Sequence, residues 1–151
     1  MPRELDWDQR GALCRSSLDF LRFLVGRWEG QGHSHGQQVR AGLEARLRFG
    51  DTVLQLEESL WGPDGQLVHE DIALTRYDPD AELVRVTHTM AHAWISEQLV
   101  RPFDGGPGCF WYAGPFSPRV ELRPDGQGAL DVRVLVPEQR EPDTQIRYRR
   151  A

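Results

Sequence analysis

"FLVGRWEGQG", residues 23–32, decides how the rest of the chain is read. It sets one tryptophan, Trp28, among glycines at 26, 30 and 32, directly after an apolar run. As a strand, the segment puts Trp28, Gly30 and Gly32 on one face, because side chains alternate with a period of two. A large ring followed by two bare positions lets another strand, a helix or a ligand pack close to the backbone. Just upstream, Ser16 to Asp19 has capping-box spacing. Leu18, Phe20, Leu21, Leu24 and Val25 then form an apolar stripe, and Gly26 stands where a helix would end. A short helix is expected over this segment.

Beyond it the period switches to two. Leu43, Ala45, Leu47 and Phe49 alternate with Glu44, Arg46 and Arg48, which predicts a half-buried strand ending at Gly50-Asp51. Leu54, Leu56 and Leu60 follow on the next strand, closed by the Gly-Pro-Asp-Gly turn at 62–65. A strand from Leu67 to Tyr77 ends at residues 78–81, another begins near Leu83, and residues 92–103 continue the series. Segments 108–114, 118–126, 129–138 and 145–150 are each separated by turn residues. Short strands joined by such turns read as an antiparallel meander. A flat sheet of that length would expose a whole apolar face, whereas closure hides the face and removes the edges. The expected fold is all-β: one up-and-down barrel of about 8–10 strands with a short N-terminal helix, in a single domain over 1–151.

Composition narrows the function. At 39% hydrophobic and 27% charged residues, 151 residues read as a globular chain with a real core. A net charge of -5 with no basic run argues against nucleic acid. The apolar stretches fall far short of the ~20 residues that span a membrane, and the first residues lack the apolar core of a signal peptide, so a cytoplasmic location is expected. All 18 basic residues are arginine, and neither lysine nor asparagine occurs, which excludes lysine-based Schiff-base or phosphate chemistry. Two cysteines, Cys14 and Cys109, make no disulfide framework and are expected to pack inertly.

The order of a helix, Gly26-x-Trp28-x-Gly30-x-Gly32, then a meander resembles the calycin superfamily, and within it nitrobindin and its lipocalin-like relatives. Trp61, Gly65, His69, Asp71 and Arg76 resemble a second segment of that family. The resemblance implies a calycin-like barrel in which the tryptophan sits at the closed end beneath an arginine of the final strand, here Arg147 or Arg149. It also implies haem b on an axial histidine near the C-terminus, with the histidine matching His69 on the distal side. No histidine follows His92, and Tyr148 is the one oxygen donor in the tail with precedent as a haem ligand, so no cofactor is assigned.

The chemistry-bearing residues divide by face. His33 and His35 have a chelating spacing, but they lie opposite Trp28 and are flanked by glycine, so no metal site is assigned. His88, Met90, His92 and Trp94 share a face with Val84 and Val86 and are placed on the cavity wall. Among Glu57, Glu58, Glu70 and Asp71, Glu58 shares a face with Leu54, Leu56 and Leu60, so its carboxyl points inward, where a raised pKa would suit proton transfer. An interior arginine, Arg85 or Arg133, is the alternative partner. Trp111 belongs to an aromatic run that lines the interior. The expected cavity therefore comprises Glu58, His69, Asp71, His88, Met90, His92, Trp94 and Trp111. Its expected occupant is a small apolar or amphipathic molecule, and nothing in the pattern excludes a homodimer. The alternatives are a haem protein acting on nitric oxide or peroxynitrite, an enzyme using Glu58, His69 or Asp71, and a barrel whose interior is simply filled. No Ser-His-Asp or Cys-His spacing is evident, and no catalytic residue is assigned.

Overall fold

The computed structural model describes residues 4–151, apart from the side chain of His92. One helix, α1 (Trp7–Ser16), precedes a short 3₁₀ segment (Asp19–Leu24) and ten strands. These are β1 (Gly26–Ser34), β2 (Gln37–Arg48), β3 (Val53–Trp61), β4 (Leu67–Asp78), β5 (Leu83–Met90), β6 (Trp94–Pro102), β7 (Cys109–Tyr112), β8 (Arg119–Pro124), β9 (Ala129–Leu135) and β10 (Thr144–Arg150). Each strand pairs antiparallel with its sequence neighbours, and β10 returns to β1, so the sheet is a closed barrel without free edges.

Closure depends on the opening glycines. Gly30 faces Tyr148 across the β1–β10 seam and Gly32 faces Ile146. A Cβ at Gly30 would run into the Arg147 carbonyl, and one at Gly32 into the Gln145 carbonyl, so the two strands close only because these positions are bare. Gly26, at φ 133°, turns the chain into β1 with a backbone that side chains rarely adopt.

The helical start departs from the sequence reading. The α-helix lies earlier, capped by Asp6, whose carboxylate accepts from the Gln9 amide at 2.8 Å while the Gln9 side chain accepts from Asp6 N at 3.1 Å. The apolar run is 3₁₀ instead. Its buried leucines, Leu18, Leu21 and Leu24, recur every three residues, which matches three residues per turn and not 3.6. They close one end of the barrel together with Trp28, whose indole donates to the Leu24 carbonyl at 2.9 Å.

The arginine over Trp28 is Arg150, 3.9 Å from the ring centroid, and not Arg147 or Arg149. Ile146, Tyr148 and the pairing of Arg150 with Trp28 fix the even residues of β10 as the inward set. Arg147 therefore points outward to Asp125 at 2.7 Å and Asp131 at 3.1 Å, and Arg149 is exposed. Arg150 also donates to the Val25 and Phe23 carbonyls, tying the last strand to the end of the 3₁₀ segment. Phe49, read as the inward end of a strand, lies in the β2–β3 turn at φ 54° and is exposed.

The opposite end carries the β3–β4, β5–β6 and β7–β8 connections. There Trp94, Ile95, Leu67 and Phe116 stand exposed. A tight turn at Ala91–Ala93 ends β5 and starts β6, so Trp94 sits on the rim, 64% exposed, and not on the cavity wall.

Candidate functional site

Near that rim, the inward faces of β3, β4, β5 and β10 bring titratable side chains into a mainly apolar interior. Strand alternation places Glu58 beside Leu56 and Leu60, Asp71 beside Ala73, and His88 beside Val86. Glu58 and Asp71 are direct cross-strand partners, and Asp71 is in turn opposite Met90. Asp71 Oδ2 faces His88 Nε2 at 2.9 Å and His69 Nε2 at 3.1 Å. The His88 ring meets Trp111 edge-on, with centroids 5.4 Å apart. From the far side of the seam, the Tyr148 hydroxyl donates to Glu58 Oε2 at 2.5 Å. Tyr148 reaches across because Gly30 and Ala41, the residues in register between its strand and β3, carry almost no side chain.

Electrostatics follow from this crowding. Burial pushes the Glu58 carboxyl up to about 7, reinforced by the facing charge of Asp71 and opposed by the Tyr148 hydrogen bond. Burial also pushes Asp71 upward, yet the hydrogen bonds and charges of His69 and His88 outweigh it and leave Asp71 below the usual carboxylate range. The hydrogen bond to Asp71 raises His69 against the opposing effect of burial. Burial and the nearby Glu58 charge hold Tyr148 far above an ordinary phenol. Two adjacent carboxyls thus differ in proton affinity because the two imidazoles outweigh burial at Asp71, whereas the Tyr148 hydrogen bond does not outweigh burial and the Asp71 charge at Glu58. One oxygen, Asp71 Oδ1, is buried with no hydrogen-bond partner among the described residues.

Of the residues expected on the cavity wall, Glu58, His69, Asp71, His88, Met90 and Trp111 converge on this end of the interior, Met90 half-buried at its edge. Trp94 does not converge, and the His92 side chain lies outside the described residues. Glu57 points outward to Arg46 and Gln55, and Glu70 is exposed. Arg85 pairs with Asp78 and does not reach Glu58. His33 approaches the Pro142 carbonyl, while His35 sits in the β1–β2 turn against Asp143 at 3.0 Å. Tyr148 is the member that sequence reasoning missed as a partner of Glu58. Its signal was available, since it alternates with Ile146 on the apolar face of β10.

The haem implied by the resemblance does not fit these residues. The one candidate axial donor on the final strand, Tyr148, spends its hydroxyl on Glu58 and is held firmly protonated, whereas iron takes a phenolate. His88 is inward, but its Nε2 is engaged by Asp71.

The concavity of about 1060 Å³ lies apart from this cluster, on the outside of β1, β2, β3 and β10, and includes Arg27, Glu29, Arg40, Trp61 and Arg149. Its charges are of both signs, and Arg27 pairs with Glu44 at 3.8 Å, so it offers no single chemistry to a ligand.

Fold and site together define a closed ten-strand antiparallel barrel with a carboxylate, imidazole and phenol cluster inside one end. No family model matches the chain, and no curated protein matches it. No helix among the described residues is long and apolar enough to cross a membrane.

Proposed function

We propose that this barrel binds a small amphipathic molecule through the end opposite its helix. The polar part of the ligand meets Glu58, His69 and Asp71, and its apolar part lies toward Met90, Trp111 and the exposed rim of Trp94 and Leu67. One observation carries the reading: a cluster of polar side chains sits inside a mainly apolar barrel with a buried carboxylate oxygen, Asp71 Oδ1, that has no partner among the described residues. A buried unpaired acceptor costs on the order of 1–3 kcal/mol, a cost a ligand donor removes on binding. Tyr148 and His88 hold the two carboxylates in place, so little order remains to be imposed when the ligand enters.

The test uses a panel of fluorescent alkyl probes with ammonium, hydroxyl or carboxylate heads, titrated into protein kept in chelator. Donor heads are expected to bind more tightly than carboxylate heads, and Asp71→Asn is expected to reverse or erase that order. Equal binding of all heads, unchanged in Asp71→Asn, would remove the cluster from the reading.

A second reading is favoured by the divergence of the two carboxyls. Glu58 at about 7 beside an ionised Asp71 is the pairing that general acid–base chemistry uses near neutral pH, with Glu58 donating or accepting the proton and Asp71 holding His69 in place.

A further inference from the structure

The Glu58, His69 and Asp71 side chains do more than line the interior. Each offers one ligand atom, and the three atoms lie within 4.8 Å of one another. We infer that they form a binding site for one divalent transition metal ion, with His88 and Tyr148 as the residues that orient the carboxylates.

The geometry is close to what a metal requires. Three atoms at that spacing have a common centre no more than about 2.8 Å from each, and bonds of ~2.0–2.2 Å need inward movements of well under an ångström. His69, whose side chain is 29% exposed at the open end, has the freedom to make such a movement.

The hydrogen bonds already divide each carboxylate into a held oxygen and a second oxygen. Asp71 Oδ2 is met by His88, which packs on Trp111, and by His69 at 3.1 Å, while Oδ1 is buried with no partner among the described residues. Glu58 Oε2 is held by Tyr148, leaving the other oxygen to a ligand role. Such outer contacts aim ligating oxygens and fix their orientation.

Charge points the same way. Two carboxylates facing each other across one strand pair, with imidazoles and a phenol beside them, suit a cation of charge two. One imidazole nitrogen with two carboxylate oxygens selects zinc, iron(II), cobalt(II) or manganese(II) over calcium or magnesium. Three protein ligands leave a coordination position open to water or another donor. The inference shares this site with the ligand reading but does not rest on it.

The test is a titration of chelator-treated full-length protein with cobalt(II), read by visible absorption, and with zinc(II), read by equilibrium dialysis, without any organic probe. One equivalent per chain is expected, with binding lost in His69→Ala and in the near-isosteric Glu58→Gln. His88→Gln is expected to weaken binding ~10–100-fold while leaving stoichiometry unchanged. His33→Ala and His35→Ala are expected to bind as wild type does. Thermal melts of each variant separate a lost site from a lost fold, and Glu58→Gln preserves shape if His69→Ala does not fold. No cobalt spectrum in folded wild type, or binding that persists in folded Glu58→Gln and His69→Ala, would overturn the inference. Because the probe panel is run in chelator and the metal titration without probe, the failure of one is distinct from that of the other.

Discussion

Glu58 should make the metal-free barrel less stable as the pH rises toward neutrality. Its carboxyl stands at about 7 in the folded chain against an ordinary 4.5, chiefly because it is buried and secondly because Asp71 faces it. The folded state therefore keeps a proton that the unfolded state releases. The contribution is fully present below pH 4.5, falls between 4.5 and about 7, and is absent above that. At ~1.4 kcal/mol per pH unit, that window amounts to a loss on the order of 3 kcal/mol.

The groups facing Glu58 set the flanks. His69, raised by Asp71, contributes stability below its unfolded value and loses it as pH rises through its folded one, so it steepens the same decline. Asp71, held low, contributes above its unfolded value of 3.8 and loses that as pH falls through its folded value, which produces an acid limb. Tyr148 stays protonated throughout. Maximum stability is expected in the mildly acidic range. Urea unfolding from pH 3 to pH 8 in chelator, followed by tryptophan fluorescence, measures this as roughly a 3 kcal/mol decline toward neutral pH. In Glu58→Gln, whose amide oxygen still accepts from Tyr148, the decline should shrink to the His69 contribution, and the variant should overtake wild type at pH 8. A wild-type profile flat over this range, or the same slope in Glu58→Gln, would refute the assignment of the proton to Glu58.

Trp28→Ala should cost ~3–5 kcal/mol, because it empties a buried site and frees the Leu24 carbonyl. Arg150→Ala should cost more than Arg147→Ala or Arg149→Ala, since only Arg150 covers the ring and caps two carbonyls; a guanidinium over indole contributes ~0.5–2 kcal/mol, and equal melting temperatures for the three arginine variants would contradict this placement. Gly32→Ala should destabilise or open the β1–β10 seam, because its methyl would meet the Gln145 carbonyl backbone, and hydrogen exchange at Gln31, Gly32 and Arg147 should rise well above that at β4–β5. Cys109, buried and pushed up to about 12, should resist alkylation in the folded protein while Cys14 reacts first.

The barrel was legible in the sequence because nearly every strand writes its burial as a period of two. Leu43, Ala45 and Leu47 on β2, and Leu54, Leu56 and Leu60 on β3, are inward in the structure as their alternation requires. The same rule made Glu58 an inward carboxylate without any partner being known. Three things were harder to read. A stripe repeating every three residues resembles an α-helical face over so short a span, and only the buried set Leu18, Leu21 and Leu24 distinguishes 3₁₀ from α. On β10 the alternation was plain but its inward side was not, since arginines occupy 147, 149 and 150; Ile146 and Tyr148 carried the answer. The trio Glu58, His69 and Asp71 depends on the β3–β4 register, which shifts at Leu60/Trp61, and no spacing along the chain encodes an irregularity of that kind.

The central claim is that the polar cluster inside the open end, and not the outer groove or the turn histidines, is where this protein meets its ligand. It is tested most directly by following the imidazole nitrogen signals of His69 and His88, with His33 and His35 as internal references, while an alkylammonium probe is titrated into the metal-free protein. The account predicts saturable shifts at His69 and His88, together with the indole signal of Trp111, and no change at His33, His35 or the outward-facing Trp61. Shifts confined to Trp61, or to His33 and His35, would place binding outside the barrel and contradict it.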